Sequence, residues 1–151
     1  MQSTSILLVE DNPDHETLTI RALKKAHVLN EIIVAHDGAE ALELLFGKEG
    51  ESGQRPRVVP QLILLDLKLP KVDGLEVLRR MRGDERTKLV PVVVLTSSDE
   101  EGDVVTSYKL GANSYVCKPV DFVQFMEATK QLGLYWLVLN ETPKAARAAA
   151  G

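Results

Sequence analysis

The residues best suited to chemistry are polar side chains that lie where short apolar runs end: Glu10, Asp11, Asp66, Thr96 and Lys118. Carboxylates held close together repel one another, and a hard divalent cation bound through oxygen atoms, such as Mg²⁺, relieves that repulsion. A carboxylate beside such a cation, a lysine ammonium and a hydroxyl is equipped for phosphoryl transfer. The carboxylate attacks phosphorus while the other groups stabilise charge on the phosphoryl oxygens.

Asp66 is the strongest candidate, because it ends the apolar run 62–65. The run is too short for a helix and is soon followed by Pro-Lys-Val-Asp-Gly, which predicts a strand buried on both faces. A charge at the end of such a strand is costly unless it is paired or bound to metal, and open α/β sheets keep their sites at this edge. The alternative is that Asp66 only caps the next helix, a role that Asp73, beside Gly74, fits better.

Strand-like and helix-like segments alternate along the chain. Strands are predicted near residues 5–9, 31–35, 62–66, 91–95 and 114–117, and helices near 13–26, 39–46, 75–83, 101–110 and 121–139. Asn12 is suited to cap the first helix and Pro13 to begin it. This alternation predicts a parallel sheet with helices on both faces and right-handed crossovers.

Apolar spacing predicts the buried faces of the first three helices. The residues expected to point inward are Leu18, Ala22 and Leu23 in the first helix, Ala41, Leu42 and Leu45 in the second, and Leu75, Val77, Leu78 and Met81 in the third.

Composition sets wider bounds. The 151 residues suit one domain, with 44% hydrophobic and 26% charged residues, and a net charge of -4 argues against a nucleic-acid footprint over the whole domain. No apolar run approaches a membrane span and no leader is evident, so we expect a cytoplasmic protein.

Cys117 is the only cysteine, which excludes an internal disulfide and favours a buried thiol. We expect residues 1–139 to form the domain, with an exposed loop at 47–60 and a frayed tail at 140–151.

The motifs resemble the receiver domain of two-component response regulators. The matching residues are Glu10-Asp11, the run from Leu64 through Asp66 to Pro70 with Gly74, Val94-Leu95-Thr96-Ser97, and Lys118-Pro119. The resemblance implies a flavodoxin-like (βα)5 fold with strand order 2-1-3-4-5. It also implies that Asp66 accepts a phosphoryl group from a phosphohistidine on a sensor kinase or phosphotransfer protein.

The resemblance further implies a role for each residue of the site. The side chains of Asp11 and Asp66 and the carbonyl of Lys68 would bind Mg²⁺, and Glu10 would reach it through water. Lys118 would contact the phosphate, and its peptide bond to Pro119 would be cis.

The same resemblance implies a switch, in which Thr96 moves toward the phosphoryl oxygen and Tyr115 rotates inward. Tyr115 as a half-buried strand aromatic without a switching role remains open.

A narrower similarity links the chain to the small regulators paired with bacterial and cyanobacterial phytochromes. It rests on the long loop before the third strand, the segment Asp103–Tyr108 and the final Tyr135-Trp136-Leu137. Lys68 stands where those relatives often have asparagine or another small residue. Lys68 and Ser98 either tune attack of water on the phosphoaspartate or are simply exposed.

The apolar end of the last helix predicts a partner surface, because Tyr135, Trp136 and Leu139 cannot all face the core. We therefore expect a homodimer through the fourth helix, the fifth strand and the fifth helix, the alternative being a monomer whose tail covers the patch.

Other functional classes fit less well. A flavodoxin needs a phosphate loop where this chain has Glu-Asp-Asn-Pro-Asp, and a haloacid-dehalogenase-type phosphatase needs an aspartate where it has Lys68. No helix-turn-helix or other output domain is expected, so output would pass through another protein.

Overall fold

The computed structural model describes residues 5–25, 28, 30–47, 59–96, 106–118, 123, 124 and 127, without the side chains of residues 96 and 117. In chain order its elements are β1 (Ile6–Val9), α1 (Pro13–Lys25), β2 (Ile32–Ala35), α2 (Gly38–Phe46), β3 (Leu62–Asp66), α3 (Gly74–Arg82), β4 (Val92–Thr96) and β5 (Ser114–Cys117). Residues 106–109 are also helical.

The strands form a five-stranded parallel sheet in the order β2-β1-β3-β4-β5. This order confirms the expected flavodoxin-like topology. β3 lies at the centre, paired with β1 on one side and β4 on the other. All five of its residues are buried, as expected for a strand covered on both faces.

Two apolar cores cover the two faces of the sheet, because successive strand residues point to opposite sides. Ile6 and Leu8 belong to the core that includes Ala22 and Leu23 of α1. Leu7 and Val9 belong to the core that α2 and α3 complete. The helices therefore pack on both faces and fix the sheet as a platform for the loops at its carboxyl edge.

Side-chain caps determine where α1, α2 and α3 begin. Asn12 Oδ1 accepts from the backbone N–H groups of Asp14 and His15, at 2.9 and 3.2 Å. Asp37 caps α2 and Asp73 caps α3, each through a carboxylate oxygen that accepts a backbone N–H three residues on. The caps at Asn12 and Asp73 were predicted from the sequence.

The predicted inward face of α1 is wrong at one position. Leu18 is 43% exposed, while the buried residues of this helix are Thr19, Ala22 and Leu23. Positions 19, 22 and 23 form one narrow stripe, and Leu18 lies about 100° around the helix from Thr19, at the edge of that stripe. The inward residues predicted for α2 are all buried. In α3, Val77, Leu78 and Met81 are buried, and Leu75 is partly buried against the same core.

Several of the sequence predictions concern residues that the structure does not describe. They include most of the loop 47–60, most of the last helix with Tyr135, Trp136 and Leu139, and the tail 140–151. Within the part of the chain that the structure covers, no helix has the length and apolar character that a membrane span requires.

Candidate functional site

The register of the central strands brings Glu10 and Asp66 side by side. Val9 pairs with Leu65 between β1 and β3, so the next residue of each strand lies level with the other. Asp11 follows at once, and one carboxylate oxygen from each of Glu10, Asp11 and Asp66 lies within 4.8 Å of the others. The structure therefore brings these three acids together, as the sequence predicted.

The three carboxylates differ in their access to solvent. Glu10 is fully buried, Asp66 is 6% exposed and Asp11 is exposed. A neighbouring pocket of about 570 Å³ is lined by Asp11, Leu67, Lys68, Leu69, Pro70, Asp73 and Leu75. The cluster thus has a buried side at Glu10 and an open side at Asp11, along which a donor molecule could approach.

Lys118 brings a buried positive charge into this cluster. Its side chain is 5% exposed, and Nζ lies 2.5 Å from Glu10 Oε1 and 2.9 Å from Asp66 Oδ2. β5 ends at Cys117, which pairs with Thr96 of β4, so Lys118 extends from the same edge of the sheet. Its ammonium offsets the repulsion between the two buried carboxylates.

The two oxygens of Glu10 have different partners. Oε2 accepts the backbone N–H of Asn12 at 3.2 Å, whereas Oε1 is buried and meets the Lys118 charge without hydrogen-bond alignment. Loss of water around this carboxyl raises its pKa, and the repulsion of Asp66 adds to the rise. The Lys118 ammonium and the Asn12 N–H act in the opposite direction.

The Asp66 carboxylate is held at both oxygens. Oδ1 accepts the backbone N–H of Lys68 at 3.1 Å, and Oδ2 accepts from Lys118 Nζ at 2.9 Å. Lys68 itself is exposed. These contacts fix the direction of the carboxylate.

The start of α3 packs against the backbone that carries Asp66. Gly74 donates its N–H to the Leu67 carbonyl at 2.9 Å. A Cβ atom at this position would lie 2.3 Å from the Asp66 carbonyl oxygen. Only glycine allows this approach, so Gly74 supports the placement of the acid.

His15 is a member of the site that sequence reasoning missed. It lies in the first turn of α1, and its Nδ1 atom is 3.1 Å from Lys118 Nζ. The available signal was its place four residues after Asp11, in a helix that begins at the carboxyl edge of the sheet.

Comparison with known proteins decides the family. The family model for the response regulator receiver domain matches residues 6–130. The chain belongs to this family.

Two curated relatives of this receiver domain match it over most of their length. Probable methanogenesis regulatory protein FilR2 of Methanothrix harundinacea is 41% identical over 138 residues, which cover 91% of this chain and 86% of FilR2. Response regulator Rcp1 of Synechocystis is 39% identical over 140 residues, covering 93% of each protein.

Solved structures agree with these relatives. The bacteriophytochrome response regulator AtBRR has 51% sequence identity and a TM-score of 0.77, covering 90% of this chain and 96% of AtBRR. The Mn²⁺-bound form of Rcp1 has 40% identity and a TM-score of 0.70, covering 89% and 94% of the two chains. The receiver domain is therefore similar to regulators named for phytochromes.

The acidic cluster of this receiver domain suits a divalent cation. Three carboxylates offer hard oxygen ligands within 4.8 Å of one another, and Glu10 Oε1 is a buried oxygen without a hydrogen bond. The similar Rcp1 structure holds Mn²⁺. The donor set thus fits a hard divalent metal.

The structure describes the remaining predicted residues only in part. Thr96 ends β4 and pairs with Cys117 of β5, but the side chains of both residues lie outside the description. Ser98 and Pro119, with its peptide bond, also lie outside the described residues. Tyr115 is 38% exposed, and its ring meets that of Tyr108 edge to face, with centroids 6.0 Å apart.

Proposed function

We propose that this receiver domain accepts a phosphoryl group on Asp66 and acts as a signalling switch. The observation that carries the proposal is the contact between Asp66 Oδ2 and the buried Lys118 ammonium, at 2.9 Å, inside a cluster of three carboxylates. This arrangement places a nucleophilic carboxylate beside a cation that can neutralise phosphoryl oxygens.

The proposed transfer is a simple displacement at phosphorus. One carboxylate oxygen of Asp66 forms a P–O bond as the P–N bond of a phosphohistidine breaks, and the departing imidazole nitrogen takes up a proton from solvent. Lys118 donates a hydrogen bond to a phosphoryl oxygen as the group arrives. The backbone N–H of Lys68, which donates to Asp66 Oδ1, holds the carboxylate in line during the attack.

Asp11 and Asp66 side chains and the Lys68 carbonyl would hold Mg²⁺, and Glu10 would act through water. When bound, the cation supplies charge neutralisation between the carboxylates and the phosphoryl oxygens. Later attack of water at the phosphorus of the acyl phosphate would break its bond to the Asp66 oxygen, release inorganic phosphate and restore the carboxylate, so the protein would act as a phosphoacceptor in signalling.

The proposed donor is a sensor histidine kinase or a phosphotransfer protein. A kinase of the bacteriophytochrome type is supported by the names of the similar regulators, which include AtBRR. We expect the exchange to take place in the cytoplasm, where ATP is available to phosphorylate such kinases. The receiver unit is proposed to span residues 1–139, with 140–151 as a tail.

The proposed output is a change of surface. Thr96 would move toward the phosphoryl group and Tyr115 would turn inward from its present exposed position, changing the surface near the fifth strand. Supporting this, Tyr115 is 38% exposed, and its ring contacts one described aromatic ring, that of Tyr108. The altered surface would then change contacts with a partner or a second copy.

Intact-mass spectrometry after incubation with acetyl phosphate tests the transfer. The expected result is a single phosphoryl adduct that needs Mg²⁺, is lost with EDTA, and does not form in Asp66→Asn. This substitution nearly preserves the shape of the side chain but removes the nucleophile.

Asp73→Asn is the matched control, because Asp73 lines the adjacent pocket but caps α3 instead of joining the acidic cluster. Asparagine also caps helices, so this variant should be labelled like the original protein. An adduct that persists in Asp66→Asn would refute the assignment of the acceptor.

A further inference from the structure

His15 of α1 contacts the buried side chain of Lys118, and neither metal binding nor the attack of Asp66 on phosphorus explains this contact. His15 Nδ1 lies 3.1 Å from Lys118 Nζ, and His15 is positioned by the Asn12 cap, whose side chain accepts its N–H at 3.2 Å. An ammonium can only donate hydrogen bonds. The imidazole Nδ1 atom is therefore the acceptor in this contact, which requires the neutral tautomer that carries its proton on Nε2.

Three acceptor atoms surround the ammonium. They are Glu10 Oε1 at 2.5 Å, Asp66 Oδ2 at 2.9 Å and His15 Nδ1 at 3.1 Å. Glu10 Oε1 meets the ammonium as an ion pair without hydrogen-bond alignment, whereas Asp66 Oδ2 and His15 Nδ1 lie at hydrogen-bond distance from it. Two of the acceptors are carboxylates and only His15 is neutral, so the imidazole is the weakest of the three partners.

The three partners also differ in depth. Glu10 and Asp66 are buried, whereas His15 is partly exposed. The imidazole therefore contacts the ammonium from a position nearer to solvent than either carboxylate, and a phosphoryl donor must approach from solvent. An anionic phosphoryl oxygen is a stronger acceptor than a neutral imidazole and can replace it.

We propose that His15 is a positioning residue for phosphoryl transfer, which keeps one N–H of Lys118 directed toward the incoming phosphoryl group. The inference rests on the proposed function, because it needs Lys118 to stabilise the phosphoryl oxygens. Without His15, the two buried carboxylates alone hold the ammonium, and the N–H that His15 accepted is no longer directed toward solvent. His15 itself takes no proton from the reactants.

Initial rates of labelling by acetyl phosphate, at fixed Mg²⁺, test this role. In that reaction the Asp66 oxygen forms a P–O bond, the bond from phosphorus to the acetyl oxygen breaks, and acetate leaves. His15→Leu removes the acceptor and should slow labelling about tenfold, as expected for loss of one hydrogen bond to a charged group. His15→Asn should restore most of the rate, because its Oδ1 atom stands as many bonds from Cα as Nδ1 does.

His36→Leu is the matched control. His36 is exposed and its partners are Glu16 and Glu40, so its loss should leave the labelling rate unchanged. Urea unfolding of all variants separates a local effect from a loss of fold. Equal rates in His15→Leu and the original protein, or no recovery in His15→Asn, would overturn the positioning role while leaving Asp66 as the acceptor. A lack of any adduct on the original protein would overturn the proposed function instead, and this inference with it.

Discussion

At the scale of single residues, one buried ammonium balances the charge of the site. The side chain of Lys118 is 5% exposed and contacts the carboxylates of Glu10 and Asp66. Breaking a buried ion pair by removing one partner costs much more than the pair contributes, because the remaining charge has neither water nor a partner. The stability of this cluster of carboxylates therefore depends on a positive charge beside it, either the Lys118 ammonium or a bound metal ion.

Lys118→Met should make the fold depend on divalent metal. Without metal, in EDTA, we expect a loss of about 3–5 kcal/mol in the free energy of unfolding, because two buried carboxylates lose their counter-charge. Mg²⁺ should restore more stability to this variant than to the original protein, because a cation that binds the folded state stabilises it. Urea unfolding with EDTA and with Mg²⁺ measures both effects.

The loss should also depend on pH, because burial raises the pKa of Glu10. A raised pKa in the folded state means that protonation favours folding, so the penalty is largest above the titration of this carboxyl and shrinks as the pH falls through it. Lys71→Met is the control, because Lys71 is exposed and its ammonium lies 3.5 Å from Asp37. Equal stability of the two lysine variants in EDTA would contradict the prediction.

At the scale of elements, the contact between α3 and the end of β3 positions the acceptor. Gly74→Ala would place a Cβ atom 2.3 Å from the Asp66 carbonyl oxygen and 2.7 Å from Leu67 Cα. Both are backbone atoms, so either the helix or the strand end must shift. We expect a loss of about 1–3 kcal/mol in the free energy of unfolding, typical of overpacking, and slower labelling of Asp66.

Gly83→Ala provides the comparison at the other end of the same helix. Gly83 has right-handed helical backbone angles, and the nearest atoms to an added Cβ are carbonyl oxygens 3.7 and 3.8 Å away. This variant should keep both its stability and its labelling rate. Urea unfolding and initial rates with acetyl phosphate distinguish the two glycines, and equal behaviour would argue against close packing at Gly74.

The elements also show which features a sequence can predict. The carboxyl ends of β1 and β3 were predictable because apolar runs and turn residues mark strand ends, and parallel pairing then brings Glu10 and Asp66 together. The exposure of Leu18 and the contact of His15 with Lys118 could not be predicted in this way. Both depend on how α1 is rotated over the sheet, which is set by packing against distant strands and not by local spacing.

At the scale of the whole molecule, an apolar core on each face holds the sheet in place, and the candidate functional surfaces lie at its edges. Tyr108 and Tyr115 are 45% and 38% exposed, and their rings contact each other on one side of the molecule. Val123, in the region predicted as the last helix, is 57% exposed. These side chains lie on the segments from which the sequence predicted a homodimer interface.

If that surface joins two copies, the dimer should weaken when one exposed ring is removed. Sedimentation equilibrium over a concentration series should show a mass that rises from 16.6 kDa toward twice that value. Tyr108→Ser should shift this rise to at least about tenfold higher concentration, because aromatic residues contribute strongly at interfaces. Leu18→Ser, which alters a similarly exposed apolar residue on α1, should not. A mass that stays at 16.6 kDa at every concentration would exclude the dimer and favour a monomer, because association driven by an apolar surface must follow mass action.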